Sequence, residues 1–129
     1  MLEVEVIGDG GPQAPPRPEV ERIVGIAFAS AGVEAGHVAV EYVDADRIAS
    51  LNREFRGHPG PTDVLSFPVD LDGPEVGPRE LGDVVICPEH TEDLSEAVVH
   101  GTLHLVGMDH ERDEGEMLAL QAEIRGWLS

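Results

Sequence analysis

Half of the chain's six histidines fall in one eleven-residue run, His100-Gly101-Thr102-Leu103-His104-Leu105-Val106-Gly107-Met108-Asp109-His110. In a helix, His100 and His104 stand one turn apart on one face with Cβ atoms roughly 5–6 Å apart, close enough to share a metal ion. Gly107 stops such a helix, because glycine takes a left-handed conformation that other residues resist, and the chain then turns His110 toward the same point. Any one of these histidines alone reads as a satisfied core side chain; their compound spacing points to a metal. Three imidazoles without an evident fourth ligand describe zinc, one ion per chain, with a position left for water and therefore for hydrolysis. The related pattern H-E-x-x-H-x-x-G-x-x-H of zinc peptidases carries a glutamate base after its first histidine. Gly101 stands there in this chain, which argues against peptide hydrolysis and leaves other hydrolysis open.

The elements that must hold this run follow from periodicity. Leu2 to Ile7 alternates apolar and charged residues, the period of a half-buried strand. A loop rich in glycine and proline follows. From Pro18, the residues Val20, Ile23, Val24, Ala27, Phe28 and Ala31 recur at helical spacing, and Gly32 closes that helix. Val38, Val40 and Tyr42-Val43 give a second strand. Asp44 caps a helix through Phe55 whose inner face is Ala45, Ile48, Leu51 and Phe55. After a break at Gly57 to Pro61 come a strand over Asp63 to Phe67, an acidic surface loop or wide hairpin from Asp70 to Glu80, and an apolar strand from Asp83 to Cys87. The histidine helix spans about Glu92 to Val106, and a last amphipathic helix uses Met117, Leu120, Gln121, Ile124 and Leu128. This pattern predicts one α+β domain over residues 1–129, with about four strands in a mixed sheet and about four helices packed on it.

At 129 residues the chain can bury a core without disulfides, and its one cysteine, Cys87, has no partner for one. Together with the lack of a basic-then-apolar leader and of any long apolar run, this predicts a cytoplasmic protein with no membrane span. The 26 acidic residues outweigh 8 basic ones, all arginine, for a formal charge of −18. Broad phosphate neutralisation needs a basic surface, so any polyanion bound here must meet a local arginine, a metal ion or a partner protein.

Several stretches beyond the histidines carry a resemblance. Leu51-Asn52 with Phe55-Arg56-Gly57, then Pro61-Thr62-Asp63-Val64-Leu65-Ser66-Phe67-Pro68, Leu81-Gly82-Asp83-Val84-Val85-Ile86-Cys87 and the run from His100 to His110 resemble, in order, the YbeY family of bacterial endoribonucleases. The resemblance implies a small α+β enzyme with a three-histidine metal site, usually zinc, that cleaves single-stranded RNA in ribosomal RNA maturation and small-subunit quality control. It implies His100, His104 and His110 as ligands, Arg56 as the functional arginine, and the ribosomal small subunit or its assembly factors as partners. Two departures stand out. The family usually has lysines after the arginine-glycine pair, where this chain has His58-Pro59-Gly60, and the segment from Cys87 to His100 is shorter than the family pattern.

In that reading, zinc held by neutral imidazoles brings the pKa of a bound water down to about 7, and Arg56 offers a planar fork of donors to charge building on the non-bridging phosphate oxygens. Asp109 either accepts a histidine ring N–H or is a turn residue bonding its own backbone. Cys87 reads as a small apolar filler at a strand end rather than a ligand. The alternative is a ribosome-assembly binding factor with a structural zinc and no hydrolytic activity, its acidic surface suited to basic partners. A fourth protein ligand from Cys87, Asp109 or Glu111 would favour that role, whereas water in the fourth position favours catalysis.

Overall fold

The computed structural model describes residues 2–30, 32–33, 35–68, 80–105 and 116–128. The alternation at the start forms strand β1 (Leu2–Ile7), whose Val4 is buried while Glu3 and Glu5 face out. Helix α1 (Arg17–Ser30) follows and buries the predicted stripe of Val20, Ile23, Val24, Ala27 and Phe28. Next come β2 (Gly36–Tyr42), α2 (Ala45–Arg56), β3 (Val64–Pro68), β4 (Glu80–Ile86), a short 3-10 turn (Pro88–His90), α3 (Leu94–Leu105) and α4 (Glu116–Leu128). The four strands lie in the order β1-β2-β4-β3, with β1, β2 and β4 parallel and β3 antiparallel at the edge. This is the mixed sheet and α+β domain that the periodicity predicts.

Strand alternation divides the helices between the two faces of the sheet. Val4, Val38, Val40, Val84 and Ile86 point to one face, where they form the main core with α1, α3 and Ile124 of α4. Leu65, Val85 and Cys87 point to the other, beneath Ile48 and Leu51 of α2. Each fully buried aliphatic side chain in these cores is worth roughly 1.5–3 kcal/mol relative to exposure.

Two boundaries differ from the periodicity in informative ways. The predicted inner face of α2 ends on Phe55, yet Phe55 is 60% exposed and Asn52 is the buried residue. Asn52 Nδ2 donates to the Gly60 carbonyl at 3.0 Å, tying down the loop after the helix. Gly57 turns the chain there in the left-handed conformation (φ 71°), and its N–H returns to the Arg53 carbonyl. Helix α3 begins at Leu94 rather than near Glu92 because Asp93 is its cap: the Asp93 carboxylate accepts from the Glu96 N–H at 3.1 Å. Asp44 caps α2 in the same way, as its sequence predicts. The predicted acidic loop up to Arg79 and the Gly107 stop lie outside the described residues.

Helix α3 sits against β3 and β4 at Gly101. A Cβ there would come within 2.5 Å of Val84 Cγ1, 3.1 Å of Val64 Cγ2 and 3.3 Å of Ser66 Oγ. The Ser66 hydroxyl donates to the Gly101 carbonyl at 2.7 Å, so strand and helix are joined where they come closest. Gly101→Ala is therefore expected to destabilise the fold by about 1–3 kcal/mol, the usual cost of overpacking a filled core. Denaturant unfolding of the variant beside the parent checks this, and equal stability would mean that α3 can shift away from the sheet freely.

Candidate metal centre

Most of α3 is committed to the core: Leu94, Ala97, Val98, Val99, Gly101, Thr102, Leu103 and Leu105 are all buried. The helical period then leaves His100 and His104 at the margin of that interface, each half-buried. Their Nε2 atoms face each other at 3.1 Å, with ring centroids 4.7 Å apart and planes inclined by 77°. A tetrahedral ion bound at about 2.0–2.1 Å to both would hold two such nitrogens roughly 3.3 Å apart, so the pair fits zinc with little movement. Among the described residues no third histidine, cysteine or carboxylate closes on the pair. His110, the third predicted ligand, lies outside the described residues, as do Asp109 and Glu111.

Behind His100 stands a chain of polar side chains. Its Nδ1 is 2.7 Å from Oε1 of Gln121 on α4, and Gln121 Nε2 donates to Glu96 Oε1, also at 2.7 Å. Gln121 is only 8% exposed. Periodicity placed it on the inner stripe of the last helix without assigning it work. A lone amide among Leu120 and Ile124 on that stripe was the available signal, since a buried amide needs partners.

A cleft of about 430 Å³ opens beside His100, with Asp63, His90, Thr91, Glu92, Asp93, Glu96 and Gln121 among its lining residues. The segment between Cys87 and His100 forms one wall of this cleft. His90 lies on that wall. Its floor is tied together locally: the Asp63 carbonyl accepts from the Cys87 N–H at 2.8 Å, and the Thr91 hydroxyl donates to the Cys87 carbonyl at 2.7 Å. Arg56 closes α2 as an exposed residue and is not among the residues lining this cleft. The seven-residue connection from Gly57 to Asp63 carries the chain from that helix end to the cleft rim.

Cys87 is fully buried with Ile48, Leu51, Leu65 and Val85, on the α2 side of the sheet and therefore away from the imidazoles. The filler reading of this residue holds.

The arrangement is that of a small α+β domain displaying a paired-imidazole helix at the edge of an acidic cleft. The family model described as "Endoribonuclease YbeY" matches residues 17–128, and the chain belongs to that family. It is 37% identical to the endoribonuclease YbeY of Nocardia farcinica, an alignment spanning 95% of this chain and 78% of that protein. It is 40% identical to the one from Mycolicibacterium vanbaalenii, over 70% of this chain and 60% of the relative, and 43% identical to that of Koribacter versatilis, over 74% and 66%. The chain thus spans under two thirds of the length of several relatives. A Thermotoga maritima protein of known solution structure superposes with a TM-score of 0.56 at 25% identity, covering 97% of this chain and 88% of its own.

Burial pushes the Cys87 thiol and the Tyr42 phenol up from their ordinary values, in each case chiefly through desolvation. Both groups thus favour the folded state while neutral, and that contribution is lost as pH rises through their raised folded values. Thermal unfolding followed upward from about pH 8 should show declining stability, with a shallower decline in Cys87→Ala. Zinc content of Cys87→Ala should equal that of the parent chain, and a loss of metal would return Cys87 to the ligand set.

Proposed function

We propose that this chain is a zinc-dependent endoribonuclease that cuts single-stranded RNA, acting in ribosomal RNA maturation and small-subunit quality control in the cytoplasm. The observation that carries the metal is the 3.1 Å approach of the His100 and His104 Nε2 atoms on a helix clamped to the sheet. Family membership supplies the RNA. His100 and His104 would hold the ion with His110, which lies in the connection from α3 to α4. When bound, the ion supplies a nucleophile at neutral pH and positive charge against the phosphate.

The residues around it have separable tasks. Asp63, Glu92, Asp93 and Glu96 line the cleft with carboxylates, a local field that attracts a cation and repels a bare polyanion. RNA therefore enters productively once the cation is in place, which is how a chain of charge −18 can act on a polyanion. Arg56, the last residue of α2 before the Gly57 turn, holds a phosphate of the strand with its planar donors. The alternative, a ribosome-assembly binding factor with a structural zinc, needs a fourth protein ligand; Cys87 lies on the face away from the imidazoles, and the other candidates, Asp109 and Glu111, lie outside the described residues.

The test is metal-quantified protein assayed on single-stranded RNA. His104→Ala is expected to lose the metal and essentially all cleavage. Arg56→Ala should keep the metal and slow cleavage by about 10²–10³-fold, the range for removal of one donor to developing charge. Equal cutting by parent and both variants would assign the activity to a contaminant, and tight zinc without any cutting would favour the binding-factor role.

A further inference from the structure

We infer that Gln121 and Glu96 are positioning residues: together they fix the His100 ring so that Nε2 presents its lone pair to the metal. The inference rests on the metal reading above and goes beyond it by assigning two residues outside the histidine run. The logic is one of donors and acceptors. A carboxylate only accepts, so the short contact from Gln121 to Glu96 commits the Gln121 amide nitrogen to Glu96. The amide is thereby turned, and its oxygen faces His100 Nδ1 at 2.7 Å. An amide oxygen is an acceptor, so Nδ1 must carry the ring hydrogen. In the neutral ring, Nε2 is then left with the lone pair, and it is this atom that faces His104 Nε2.

The placement suits the task. Gln121 is 8% exposed, and its amide is held by two short hydrogen bonds, one of them to a carboxylate. The bonds also join α3 to α4 on either side of the 106–115 connection that contains His110. One relay therefore sets the ring of His100 and ties α3 to α4. Partners of this kind typically contribute 10–100-fold to metal affinity.

The experiment uses the full chain. In metal-free, ¹⁵N-labelled protein, the His100 ring (assigned by its loss in His100→Ala) is expected to show the proton on Nδ1, and Gln121→Leu should shift it toward Nε2. Zinc affinity, measured by competition with a chelator, should fall about 10–100-fold in Gln121→Leu. Glu96→Ala, at an exposed position that folding tolerates, should move both readouts the same way and by less. The swap Glu96→Gln with Gln121→Glu restores an acceptor opposite Nδ1 and should recover most of the affinity. A parent ring protonated on Nε2, or unchanged zinc affinity in both single variants, overturns the inference while the metal reading stands. A parent chain that binds no zinc overturns both.

Discussion

The contact of Gly101 with Val84, Val64 and Ser66 is the constraint on which the candidate site depends. It lets the helix backbone reach the sheet, and a hydroxyl from β3 then fastens the Gly101 carbonyl. With the helix seated there, its rotation about its own axis is decided: the residues next to Gly101 on the inner face go into the core, and His100 and His104 emerge together at the margin. The serine of the T-D-V-L-S-F-P run and the glycine of the histidine run are thus two halves of one joint. Sequence stretches 35 residues apart are coupled by a single hydrogen bond of 2.7 Å.

Much of this was legible in the chain because the relevant signals are local. Strand alternation in Leu2 to Ile7, the apolar stripe of α1, the Asp44 cap and the i, i+4 histidines each depend on residues within a few positions of one another. What escaped reading is what depends on pairing across the fold. Phe55 has the right spacing for the inner face of α2 but stays exposed, its ring edge-on to Phe67 of the edge strand β3 with centroids 5.2 Å apart. Asn52, polar and mid-helix, is buried because a distant carbonyl waits for it. Gln121 is the sharper case: periodicity finds its face, and only the approach of α3 to α4 shows that the face contains His100 and Glu96.

The two faces of the sheet divide the labour. One carries the main core and the imidazoles; the other carries α2, with Arg56 at its end and Cys87 beneath it. The edge strand β3 touches both kinds of motif, since Ser66 reaches α3 while Leu65 and Phe67 pack toward α2. Alternation along one five-residue strand therefore registers the arginine-bearing helix against the histidine-bearing one.

This geometry also explains why the position after the first histidine is glycine rather than the acid of zinc peptidases. In an α-helix that residue lies about 100° around the axis from the first ligand. Here that direction points into Val84 and Val64, with no room for even a methyl group. A glutamate at 101 would not reach the metal; it would wedge the helix off the sheet and carry both histidines with it. The chemistry open to the site is thus limited by how the helix packs as well as by which residues it bears: position 101 can carry no base, whereas Asp63, Glu92, Asp93 and Glu96 line the cleft. On the proposed zinc reading, hydrolysis of a phosphodiester, whose attacking oxygen a bound ion would activate, needs no side chain at that position.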